Sequence, residues 1–180
     1  DIETLNTFVT LNKYFKQQDV TRLLYIEEWR SEREEQVLNE LEKFEEEFAN
    51  YHKADYAIMV NSGSSANLLM IASLFYSNDY DLKKGDEVIV PAVSWSTTYY
   101  PVNQYGLKLV FVDIDKNTLN IDPKEVIKAI NQKTKLIFAV NLLGNPSDLE
   151  DLKSICKKNE IILIEDNCES LGAKYNDKYT

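Results

Sequence analysis

The chain has little cysteine, a single histidine and no run of basic residues. Its two cysteines, Cys156 and Cys168, lack the paired spacing of a metal ribbon or a redox motif. A disulfide framework is therefore excluded as the source of stability, and the composition points to a reducing cytoplasm. The one histidine, His52, has no companion ligand or acid–base partner near it in sequence, so it reads as a helix-end residue rather than a catalytic one. A net charge of −10 with scattered lysines and arginines argues against nucleic acid or an anionic membrane surface as partner. No apolar stretch approaches the roughly 20 residues of a membrane span, and no signal-peptide pattern is present. Glycine and proline are sparse too, and neither occurs before Gly63, so no linker interrupts the first sixty residues.

What is present is ordinary for a globular protein: 44% hydrophobic and 28% charged residues, in a chain long enough for one good core. Residues 1–50 read as an acidic helical segment. Ser31 and Glu34 fit a capping box, and Val37, Leu38, Leu41, Phe44 and Phe48 fall on one helical face. From residue 51 to 180 the texture changes to short apolar runs, at 56–60, 87–90, 109–112, 136–140 and 161–164. Helical patterns near 65–78, 94–105, 122–131 and 147–158 separate them. That alternation predicts an α/β domain, a mostly parallel sheet covered by helices on both faces in three layers.

Three segments that follow apolar strands carry chemistry. Asn61 to Asn67 opens a helix with Gly63 for a tight turn and Ser64 and Ser65 as added donors, an arrangement able to hold a phosphate. The same pattern also serves as a plain Ser-rich helix cap. Trp95, after the 87–90 run, offers a flat face for stacking, or else a buried core side chain. Asp166, after the run Ile161 to Ile164, puts a carboxylate at the rim where open parallel sheets bind ligands, or else a helix N-cap. Each has a bland alternative, yet all three converge on one sheet margin. A phosphorylated, planar, basic heterocycle satisfies them together, and pyridoxal 5′-phosphate is such a molecule.

Several stretches then carry a resemblance: 61–67 (Asn-Ser-Gly-Ser-Ser-Ala-Asn), 83–92 (Lys-Lys-Gly-Asp-Glu-Val-Ile-Val-Pro-Ala), 111–115 (Phe-Val-Asp-Ile-Asp), 142–146 (Leu-Leu-Gly-Asn-Pro) and 165–175 (Glu-Asp-Asn-Cys-Glu-Ser-Leu-Gly-Ala-Lys-Tyr). From about residue 35 onward, these resemble the DegT/DnrJ/StrS sugar-aminotransferase family in order and spacing. The resemblance implies the N-terminal part of the large domain of the aspartate-aminotransferase fold (fold type I of the pyridoxal-phosphate enzymes), truncated here. It also implies a homodimer acting on nucleotide-linked keto sugars with glutamate as amino donor, in deoxysugar and lipopolysaccharide synthesis.

Asn141 and the Asn167-Cys168-Glu169 segment depart from the usual aminotransferase pattern. They look like the branch that dehydrates NDP-4-keto-6-deoxyhexoses at C3, and 95–106 is most similar to members acting on GDP-4-keto-6-deoxymannose. By motif position, Gly63, Ser64 and Ser65 would hold the cofactor phosphate and Trp95 would stack on the ring. Asp166 would pair with the ring nitrogen, and Glu169 would approach the 3-oxygen side. The family's Schiff-base lysine, a histidine in the dehydratases, is expected beyond Thr180. The chain is therefore expected to be a fragment without turnover alone. An ordinary sugar aminotransferase and a non-catalytic regulatory homologue remain the rival readings.

Other features invite misassignment. Asp113, Asp115 and Asn117 imitate the start of a calcium loop, but Thr118 and Lys124 stand where Gly and Glu belong, so no metal is expected. Lys174 and Lys178 flank an Asn176-Asp177 turn and read as surface residues rather than a catalytic base. Cys168 reads as a small buried filler.

Overall fold

The computed structural model describes residues 32–180, with side chains from Glu35 onward. Ser31, and with it the expected capping box, lies outside the described residues. The chain divides into two compact units at Asn61/Ser62.

In the first unit, α1 spans Glu32–His52. Its apolar residues share a face, as the periodicity predicts, but Val37, Leu38, Phe44 and Phe48 are exposed, and Ala49 is the buried one. The Phe48 and His52 rings meet at a tilt with 4.6 Å between centroids, so the histidine is packed at the helix end. Residues 56–60 form no strand, contrary to expectation. The Met59 N–H is spent on the Glu45 carboxylate at 2.6 Å instead of a ladder, and Tyr56 and Ile58 stay exposed. A β-like pattern is a strand only where a neighbour completes its hydrogen bonds.

The second unit holds the α/β architecture. Its elements are α2 (Gly63–Tyr76), β1 (Glu87–Pro91), α3 (Ser96–Gln104), β2 (Lys108–Val112), α4 (Pro123–Ala129), β3 (Thr134–Val140), a 3₁₀ turn at Leu142–Gly144, α5 (Leu149–Asn159) and β4 (Ile162–Asp166). Four parallel strands lie in the order β2-β1-β3-β4. Strand β3 is buried almost throughout, which accounts for its unbroken apolar sequence.

Side chains alternate across the sheet. Val88, Val90, Leu136 and Phe138 pack on one face with Ile71 and Leu74 of α2 and Val102 of α3. Ile89, Ile137 and Ala139 point the other way, onto Val126 of α4 and Leu152, Ile155 and Cys156 of α5. These are the three layers expected from the sequence. The helices are shorter than their patterns in three cases: Pro123 opens α4, Asp148 caps α5, and α3 begins only at Ser96 and runs through Pro101 to Gln104. After β4, a two-stranded hairpin, β5 (Lys174–Tyr175) and β6 (Lys178–Tyr179), turns through Asn176 and Asp177 at φ 48° and 60°. Both residues tolerate that left-handed region, so the turn forms where the sequence placed it. No helix of the described residues is long and apolar enough to cross a membrane.

Candidate cofactor site at the sheet rim

Strand order decides where the site lies. From β1 the chain winds outward to β2, then crosses back to place β3 on the other side of β1. Loops leaving β1 and β3 therefore diverge at their carboxyl ends and open a crevice between them, the topological switch point of such sheets. A cavity of roughly 240 Å³ occupies it. Its walls include Gly63 and Ser64 from α2, Trp95 after β1, Asn141 after β3, and Asp166, Cys168 and Glu169 at and after β4.

Helix α2 begins here because Ser62 caps it. The Ser62 hydroxyl accepts the Ser65 N–H at 3.2 Å, while its carbonyl accepts that of Ala66. The N–H groups of Gly63 and Ser64 have no hydrogen-bond acceptor among the described residues, and they head the helix at the cavity wall. Ser65, one residue further, does not line the cavity, and its N–H is held by Ser62. Gly63 does not adopt a left-handed conformation, so its value is not the tight turn the sequence implied. It matters for close approach: a Cβ there would stand 3.4 Å from the Cys168 sulfur.

Trp95 is 67% exposed, which removes the buried-core alternative and leaves the indole on the cavity wall. Asp166 ends β4 with only 8% of its surface exposed. Its Oδ2 accepts the Asn67 side-chain N–H at 2.8 Å and the Thr98 hydroxyl at 3.3 Å; its Oδ1 accepts the Cys168 N–H at 3.1 Å. No lysine or arginine among the described residues pairs with it, the side-chain ion pairs being Lys83–Asp81 and Lys128–Glu125. A buried carboxylate met only by neutral donors calls for a cation to complete it. Glu169 reaches back to the loop after β3, where its carboxylate accepts the Leu143 N–H at 2.7 Å.

The loops themselves are held by asparagines whose bridging role the sequence did not reveal: Asn141 and Asn167 stood out only as departures from the usual aminotransferase pattern, and Asn120 not at all. Asn141, 1% exposed, donates to Asn167 and accepts the Ser147 N–H at 2.7 Å. Asn120 accepts the Leu142 N–H at 3.1 Å and donates to the Asn145 carbonyl at 2.8 Å. Asn67 lay inside the quoted 61–67 motif. Its offset of four from Gly63 puts it on the same helix face, which is the signal that could have found it.

Cys168 is exposed and lines the cavity, which corrects its reading as a buried filler. It sits in the turn after β4, where its N–H is committed to Asp166 and its thiol is left at the wall. Cys156, packed between α5 and the sheet, has its thiol pushed up to about 11 by burial. Native protein is thus expected to lose one fast-reacting thiol toward a disulfide reagent at neutral pH in a Cys168→Ser variant, and none in Cys156→Ser. Equal loss in both variants would contradict the assignment.

The other flagged positions stay outside the cavity. Lys174 lies over the Tyr179 ring, 4.9 Å from its centroid, and Lys178 is exposed in the hairpin. In the 113–117 loop, Asp113 and Asp115 turn their oxygens to the backbone N–H groups of Ile114 and Asn117. The Asn117 bond holds the Asp115 carboxyl below the usual range.

Comparison with known proteins supplies a lineage for this geometry. A GDP-4-keto-6-deoxy-D-mannose 3-dehydratase of Yersinia pseudotuberculosis is 56% identical over 138 residues, 77% of this chain and 35% of the relative. A dTDP-4-dehydro-2,6-dideoxy-D-glucose 3-dehydratase of Saccharopolyspora spinosa is 41% identical over 140 residues, 77% of this chain and 30% of the relative. The chain thus spans about a third of the length of the curated relatives it matches. Among solved structures, an E. coli GDP-4-keto-6-deoxy-D-mannose-3-dehydratase with bound hydrated pyridoxal phosphate superposes with a TM-score of 0.75. It shares 46% identity over 93% of this chain and 42% of that one. The family model describing DegT/DnrJ/EryC1/StrS aminotransferases matches residues 16–180, and the chain belongs to that family.

Proposed function

We propose that this chain is the cofactor-gripping portion of a pyridoxal/pyridoxamine 5′-phosphate enzyme that removes the C3 hydroxyl of a nucleotide-linked 4-keto-6-deoxyhexose. The observation that carries the reading is Asp166: a buried carboxylate at the switch-point crevice, met by three donors and by no cationic side chain among the described residues. The crevice fits the cofactor on three independent counts. Two helix-end N–H groups and the Ser64 hydroxyl are available for a phosphate. An exposed indole offers a stacking face, and the carboxylate suits a protonated ring nitrogen. A Cβ on Gly63 would stand in van der Waals contact with the Cys168 sulfur, so the helix start lies close against the turn after β4.

Each residue has a task in that reading. Gly63 and Ser64 anchor the phosphate through backbone and hydroxyl, and Trp95 holds the ring flat. Asp166 keeps the ring nitrogen protonated, and Glu169 braces the loop after β3 beside it. Bound there, the cofactor supplies the electron sink that lets a proton leave next to its amine nitrogen and the C3 hydroxyl depart. The base for that proton is expected from chain beyond Thr180. Its identity separates dehydration from transamination: a histidine there serves the first, a lysine the second. The reading also takes the full enzyme to be a cytoplasmic homodimer that uses glutamate as amino donor in deoxysugar synthesis.

The test is a product analysis on the full-length enzyme with glutamate and GDP-4-keto-6-deoxymannose. A 3-deoxy sugar nucleotide is expected. An amino sugar with no deoxygenated product would instead establish the aminotransferase reading, which the family's description favours. Full-length protein that neither binds cofactor nor turns over any keto-sugar nucleotide would point to the regulatory alternative.

A further inference from the structure

Two buried polar side chains, on two different helices, converge on a single oxygen of Asp166. Asn67, 3% exposed on α2, and Thr98, fully buried on α3, both donate to Oδ2. The second Asn67 N–H goes to the Thr97 carbonyl at 3.3 Å, which fixes the amide plane. Ser94 Oγ lies 3.0 Å from the Thr98 oxygen. Because the Thr98 hydrogen is committed to Asp166, Ser94 is the donor of that pair, and a relay runs Ser94 to Thr98 to Asp166. A carboxylate oxygen offers two lone-pair directions, so Oδ2 is filled. Oδ1 takes one backbone N–H, from Cys168, and keeps one direction open.

Resting on the cofactor reading of the site, we infer that Asn67 and Thr98 are positioning residues that saturate Oδ2 and reserve Oδ1 for the ring nitrogen of the cofactor. Thr98 does not line the cavity, and Asn67, which does, has both amide N–H groups committed to Asp166 and the Thr97 carbonyl, so both act through Asp166 in this account. Their work is to lock the carboxylate rotamer, so that its single open acceptor direction is not lost to rotation. Burying two polar side chains in a helix–sheet interface costs stability unless both are satisfied, and here the satisfaction comes through Asp166. The arrangement also accounts for the chemistry of position 166. An asparagine there can present its oxygen to Asn67 and Thr98, but its NH₂ then replaces Oδ1 and meets both the Cys168 N–H and the ring nitrogen as a third donor.

The test uses the full-length protein with pyridoxal 5′-phosphate, reading cofactor affinity and the pH midpoint at which the bound, ¹⁵N-labelled ring nitrogen loses its proton. Thr98→Val keeps the volume and deletes the donor. Affinity is expected to fall about tenfold, the loss of one hydrogen bond to a charged group. The ring-nitrogen midpoint is expected to drop by about one pH unit. Asn67→Ala should do the same from the opposite helix, so either variant tests the idea if the other does not fold. Thr98→Ser, which restores the hydroxyl, should return both readouts to within about twofold and a few tenths of a unit. A purely structural role would lower the melting temperature and leave the ring-nitrogen midpoint in place, and that result overturns the inference. So does wild-type behaviour of both variants while Asp166→Asn loses the cofactor, an outcome that leaves the cofactor reading standing. Asp166→Asn with unchanged affinity and midpoint overturns both.

Discussion

Asp166→Ala in the full-length protein is expected to reduce keto-sugar turnover by two to three orders of magnitude. Removing one partner of a buried charge pair costs about 3–5 kcal/mol, which converts to a factor of roughly 10² to a few times 10³ at 1.4 kcal/mol per decade. Two effects add in the same direction. The ring nitrogen loses the acceptor that keeps it protonated, and the donors of Asn67 and Thr98 are left facing an empty space. The second effect also lowers stability, since an orphaned buried donor costs about 1–3 kcal/mol. Asp166→Asn is therefore the cleaner variant for chemistry, and a steady-state assay with and without added cofactor reads the result. Turnover within a few-fold of wild type would remove Asp166 from the site.

The second large effect is structural. Phe138 on β3 is the largest fully buried side chain among the described residues and sits where α2 and α3 meet the sheet. Phe138→Ala is expected to destabilise the full-length protein by about 3–5 kcal/mol, through lost transfer energy plus an unfilled cavity. Denaturant unfolding would read it as a lower midpoint at unchanged slope. A loss under 1 kcal/mol would mean that the two helices do not pack on this face as described. Phe138 lies under the crevice rather than in it. The pair of variants therefore separates collapse of the scaffold from loss of the site.

Much of the second unit was legible because its signals are strong in sequence. Unbroken apolar runs such as Leu136 to Val140 have few alternatives in a chain this size, and the structure pairs them as parallel strands. The turn at Asn176-Asp177 was legible from residue chemistry, though the short strands on either side were not, because two residues carry no period. The run at 56–60 was misread for the opposite reason: its apolar composition suits a strand, but pairing depends on a neighbour that a local pattern does not reveal. Cys168 was misplaced because residue type predicts burial on average, whereas a position in a rim turn decides it here.

Within the site, Trp95 and Asp166 were legible because each follows an apolar strand and so must reach the same rim. The bridging role of the supporting asparagines was not, although Asn141 and Asn167 stood out as departures from the usual pattern, since an amide that bridges two loops looks the same in sequence as one that faces water. Asn67, Asn141 and Asn167 acquire meaning only once the fold sets Asp166 beside α2 and brings the loops after β3 and β4 together.

A crystal structure of the full-length protein with pyridoxal 5′-phosphate would test the central claim most directly. The account predicts ring density against the Trp95 indole, the ring nitrogen on Oδ1 of Asp166, and the phosphate on the N–H groups of Gly63 and Ser64. Cofactor density away from this crevice, or a ring nitrogen facing any group other than Asp166, would contradict it.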